Sequence, residues 1–148
     1  MRAQPKPDGT GEGGSTFEVT LRELVHIRDS CREAEDRNGY FPALYAQVTA
    51  AVAERSARGD FDDAHRMEEL VARFARRYTQ AYWAHASQRP TTRSWSLAFE
   101  TADSNDPLVL QHLLLGINAH INLDLGIVVA ELAAARSAPL ATVRADFD

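Results

Sequence analysis

Apolar residues recur along this chain at helical spacing and divide it into five segments. In the first, Ser15 followed by Glu18 reads as a capping box, and Leu21, Leu24, Val25 and Cys31 carry one face to about Asp36. Asn38-Gly39 breaks the pattern. A second helix starts near Pro42, shows Phe41, Leu44, Tyr45, Val48 and Val52 on one side, and ends at Gly59. A third starts at Asp62 or Asp63 and has the cleanest stripe: Met67, Leu70, Val71, Phe74, Tyr78, Ala81 and Tyr82. Pro90 and the threonines after it form a loop. Trp95, Ala98, Phe99 and Ala102 then mark a short fourth helix. The fifth runs from the cap signal Asp106-Pro107 to Pro139; at roughly 28 residues (107–136) it is about 42 Å long, which predicts a central helix with the others packed around it.

No alternating β-branched run or hairpin signal competes with this reading. The fold class is therefore all-α: a single bundle of about five helices over residues 15–148. Residues 1–14, rich in proline, glycine and charge, cannot offset their ordering entropy and are expected to be a disordered tail.

Composition narrows the function classes only slightly. The 148 residues carry a formal charge of −5, with no basic stripe, so a nucleic-acid partner is not expected. Lysine occurs once, at Lys6, among 16 basic residues, which together with the abundant alanine points to a GC-rich bacterial genome. Arg28, Arg58, Arg76 and Arg93 are dispersed among carboxylates and read as a solvated face. The single cysteine, Cys31, lies on the apolar stripe of the first helix and reads as a small buried hydrophobe. No signal-peptide core opens the chain, and His120, Asn122 and Asp124 interrupt its longest apolar stretch. No membrane span is expected, and a cytoplasmic location follows by default.

The candidate chemistry lies on the fifth helix. Leu110, Leu113, Leu114, Ile117, Ile121, Leu125 and Val128 form its broad apolar face at about 100° per residue. His112, Gly116, His120 and Asp124 form a second stripe at steps of four, and Asn118 and Asn122 a third pair. Three readings compete. His120 and Asp124 could be ligands of a divalent metal such as zinc, the i, i+4 spacing placing both donors on one face, with His85 or Glu131 completing the set. They could be an acid–base pair in a pocket, with Gly116 leaving a notch for a ligand. Or His112, Asn118, His120, Asn122 and Asp124 are a hydrogen-bonded network that fixes the packing, with no cofactor. The aromatic residues, Tyr40 to Phe99, read as core or as the lining of a site for a small apolar ligand. There is no glycine-rich phosphate loop, GxSxG or HExxH.

The stretch LQHLLLGINAHINLDLGI resembles the signature of a bacterial family designated only as a domain of unknown function. YAQVTAAV, GDFDD, RFARRYTQA and SWSLAF match in order and spacing, so the resemblance covers roughly residues 38–148. It implies an all-helical fold, no established activity, and a site at His112, Gly116, Asn118, His120, Asn122 and Asp124. It also implies further C-terminal helices, whereas this sequence stops at ADFD, as a short or truncated member. Apolar surface left by missing helices would need another cover, self-association (a homo-oligomer) being the simplest. More faintly, the LG-x3-H-x3-D pattern resembles zinc-dependent phospholipase C. The functional expectation is thus a structural or ligand- or partner-binding module, the alternative a metal-dependent hydrolase using His120 and Asp124.

Overall fold

The computed structural model describes residues 14–104 and 108–136, and these fold as helices with no strand among them. In chain order they are α1 (Thr16–Glu33), a 3-10 turn (Arg37–Gly39), α2 (Tyr40–Ala57), α3 (Ala64–Ala86), α4 (Arg93–Asp103), α5 (Val109–Asn118), a π-helical turn (Ala119–Asp124) and α6 (Leu125–Arg136). The last three are one continuous rod, the fifth helix of the sequence pattern. Apart from Gly14, the tail lies outside the described residues, as do Asp106, Pro107 and Pro139.

Local chemistry sets the boundaries. Ser15 and Glu18 close the reciprocal capping box on α1: the Ser15 amide donates to Glu18 Oε2 at 3.0 Å, and the Glu18 amide to Ser15 Oγ at 3.3 Å. Asp63 accepts from the Arg66 amide at 2.9 Å, opening α3. Gly59 leaves α2 at φ +76°, where a side chain would be strained. The rod begins at Val109, with Gln111 Oε1 accepting from the Leu108 amide at 2.8 Å.

Two apolar clusters hold the helices together. In the larger, Leu24, Ile27 and Cys31 of α1 meet Tyr45 of α2, Tyr78 and Tyr82 of α3, and Trp95 and Phe99 of α4. In the smaller, Phe17 and α3 residues Met67, Leu70 and Val71 receive Val128 and Leu132 of α6. Burial pushes the Cys31 thiol up to about 11, as befits a core residue rather than a nucleophile. On α2 the buried side is Pro42, Tyr45, Ala46 and Thr49, while Leu44 and Val48, expected on the apolar face with Tyr45, are exposed.

The rod corrects the sequence expectation most. It packs against α2, α3 and α4 along one side and leaves the other side open. Leu110, Leu114 and Ile121 of its apolar stripe are 64%, 54% and 48% exposed. What faces the bundle is the second stripe: His112, Gly116, His120 and Asp124, continued by Val128 and Leu132, are all buried. In an unbroken α-helix a series at i+4 drifts by about 40° per step, so six such residues would not keep facing one way. The π turn takes in more residues per turn and removes part of that drift, which holds the series against the bundle. By length and composition alone, Val109–Ala135 is long and apolar enough to cross a membrane, despite the interruptions at His120, Asn122 and Asp124. Only 28% of its most apolar stretch is buried.

Gly116 sits where α5 crosses α2, and a Cβ there would lie 2.7 Å from Cδ2 of Phe41. That ring is itself held against Tyr45, Tyr78 and Trp95. Gly116→Ala is therefore expected to lower unfolding stability by about 1–3 kcal/mol through overpacking, although alanine is the better helix former by about 1 kcal/mol. Adding Phe41→Leu should recover part of that loss in denaturant titrations. A stabilised single variant would show that the helices do not approach this closely.

Candidate functional site

Asp124, at the end of the π turn, is 1% exposed and faces the interior. An isolated carboxylate there would be costly, and three donors from three elements compensate it. Trp95 of α4 donates its indole N–H to Oδ2 at 2.8 Å. Arg77 of α3 donates through Nε to Oδ1 at 3.2 Å. His120, one turn back on the rod, places Nδ1 3.3 Å from Oδ2. In the Nδ1–H tautomer this contact is a hydrogen bond to the carboxylate, and the lone pair of His120 is then on Nε2.

Aromatic rings surround the imidazole. The His120 ring stacks on Phe74 at 3.5 Å with an interplanar angle of 7°. Tyr45 meets it edge-on at 4.6 Å, and Phe41 and Trp95 stand at 5.8 and 6.0 Å. Among the described residues Nε2 has no hydrogen-bond partner, nor do the buried hydroxyls of Tyr45, Thr49 and Tyr78. Burial holds His120 below its ordinary pKa, opposed by the bond to Asp124 and by its charge. His112 is also lowered, first by burial and then by the positive charge of Arg37. It lies 5.7 Å from the Tyr40 ring, and its Nε2 has no partner among the described residues.

Of the residues singled out in the sequence, the structure joins His120 to Asp124 in the interior and Asn122 to Asn118 on the surface. His85, proposed as a further ligand, pairs instead with Asp103 at 3.2 Å and stacks on Phe99 at 4.8 Å. The same Asp103 accepts from Asn38 Nδ2 at 2.7 Å, tying the 3-10 turn before α2 to the ends of α3 and α4. Glu131 is exposed. Asn118 and Asn122, expected in the buried network, lie on the surface, where Asn122 Nδ2 donates to Asn118 Oδ1. His112 belongs to a separate contact with α2. Among the described residues no group of three or more His, Cys, Asp or Glu side chains is placed to hold a metal ion. With both oxygens of Asp124 already engaged, the dyad offers an incoming ion little beyond Nε2.

Two surface recesses, of about 430 and 920 Å³, lie away from the dyad. The first is lined by Arg28, Arg32, Arg37 and Tyr40, the second by α1 and α3 with Arg76 and Trp83; neither includes His120 or Asp124. The residues that sequence reasoning missed are Arg77 and Trp95, the partners of Asp124. They are 47 and 29 residues away, and each looked ordinary on its own helix.

These features define a class: an all-helical bundle domain built over a buried His–Asp pair. Within that class, the chain belongs to the family of unknown function DUF5995, whose model matches residues 18–148. Comparisons with curated proteins and with solved structures find no match.

Asp124→Asn preserves the shape and removes the charge. It is expected to cost about 2–4 kcal/mol in urea unfolding, since Arg77 loses its counter-ion and one oxygen becomes a donor facing donors. A neutral outcome would mean that water reaches the carboxylate. A second expectation follows from His120 and His112, whose folded pKa values lie below the unfolded value of about 6.5. The unfolded chain binds protons more readily, so this contribution is complete above about pH 6.5 and is lost as pH falls towards the folded values. The urea midpoint should drop between pH 7.5 and pH 5.5, and His120→Gln should flatten that slope. A midpoint that rises on acidification contradicts the assignment.

Proposed function

We propose that this chain is a helical binding module in which the His120–Asp124 pair is architectural and the functional surfaces lie on the outside of the bundle. One observation carries the reading: the Asp124 carboxylate, shut from solvent, spends both oxygens on Trp95, Arg77 and His120. A general base or metal ligand needs an open approach to substrate. The aromatic residues around His120 pack on one another and act as core. The charge-free apolar face of the rod supports a partner rather than a substrate as the thing bound.

The alternative, a metal-dependent hydrolase using His120 and Asp124, draws on the partnerless Nε2 of His120. Elemental analysis of untagged protein beside His120→Ala separates the two. The binding-module reading predicts no stoichiometric zinc, manganese or iron in either sample. It also predicts about 1–3 kcal/mol lower stability for the variant, which leaves Asp124 a donor short. Stoichiometric metal in the wild type, lost in a variant of unchanged stability, would replace it with the hydrolase.

A further inference from the structure

The largest feature that the dyad leaves unexplained is the outer face of the rod with the neighbouring edge of α2. α2 packs on the rod, with Tyr40 beside His112, Phe41 over Gly116 and Tyr45 against His120. Tyr40, Leu44 and Val48, at steps of four along one side of α2, are all exposed, and Tyr40 is the one beside His112 of the rod. Leu110, Leu114 and Ile121 share one stripe of α5 and the π turn. Leu113 and Ile117, next to that stripe on the wheel of the rod, are half-buried.

We propose that this face is the interface of a homodimer, a second copy of the chain covering it across a two-fold axis. The proposal rests on the binding-module reading above and names its partner. Area is the first argument. The six exposed side chains present on the order of 600 Å² between them, at the top of what a monomer ordinarily leaves apolar and about three-quarters of the ~800 Å² per partner of a standard interface. Charge is the second. From Val109 to Leu123 the rod carries no Asp, Glu, Lys or Arg. In a two-fold interface each residue meets the same surface on its partner, so a charged patch would repel itself, and this one does not. A membrane surface fits less well, because the chain has a net charge of −5 and this face has no lysine or arginine row to meet anionic headgroups.

The test is sedimentation equilibrium of the full chain up to high micromolar concentration, with the double variant Leu114→Glu/Ile121→Glu and the control Val19→Glu. Val19 is equally exposed but lies on α1 beside the groove with α3. The expected result is a dimer mass for wild type and control, and a monomer mass with retained helical circular dichroism for the double variant. Leu114→Cys bearing a nitroxide gives a second readout that does not depend on folding of the charged variant. A single short distance between copies is expected, with Cys31 buried and unlabelled. A wild type that stays monomeric, or nitroxides with no coupling between copies, overturns the homodimer. If that monomer tolerates both glutamates, the face is free for a different partner and the binding-module reading stands. If the monomer loses stability, the chain covers the face itself and that reading falls too. A monomer that co-sediments with phosphatidylcholine–phosphatidylglycerol vesicles would assign the face to lipid instead.

Discussion

The carboxylate of Asp124 is the constraint from which the arrangement follows. A charge with 1% exposure persists in a helical bundle only if the surrounding elements bring it donors, and here α3, α4 and the rod each bring one. The rod must then rotate so that Asp124 faces inward. That rotation carries His120, Gly116 and His112 inward as well and turns Leu110, Leu114 and Ile121 outward. The exposed apolar face and the buried polar stripe are two consequences of one rotational setting.

The π turn and the aromatic cage make that setting tenable. The turn keeps residues at steps of four aimed at the bundle, so that the polar stripe passes into the apolar seam of Val128 and Leu132. Gly116 removes the one side chain that would keep Phe41 from reaching the cage. Phe74, Phe41 and Tyr45 then shield the imidazole from water, which keeps it neutral and leaves the Asp124 charge to be balanced chiefly by Arg77. A closed, neutral, stacked imidazole suits a fixed joint between helices better than a proton shuttle.

Much of the fold was legible because it is written in local signals. Ser15 with Glu18, Asp63 and Gly59 end or begin helices by bonds or backbone geometry within a few residues, and the stripes of α3 and α4 bury the side that their spacing predicts. The candidate site was legible only as a pair, since i, i+4 spacing on a helix brings His120 to Asp124 whatever surrounds them. Its partners were not, because nothing near Arg77 or Trp95 in sequence records a carboxylate on another helix. The same limit explains the misplaced Asn118, Asn122 and His85. Periodicity separates the faces of a helix but does not say which face is turned inward, and on this rod a single buried charge decided against the more apolar one. Leu44 and Val48 on α2 met the same ambiguity.

The claim that the His–Asp pair is sealed and architectural is tested most directly by hydrogen exchange at the Trp95 indole N–H, followed by NMR in deuterated buffer. Because that proton is donated to a carboxylate with no path to solvent, its exchange should require global unfolding, and its protection should match the unfolding free energy of the slowest backbone amides. An indole proton that exchanges orders of magnitude faster than those amides would show a site that opens to water in the native state, and would return His120 and Asp124 to the list of working catalytic groups.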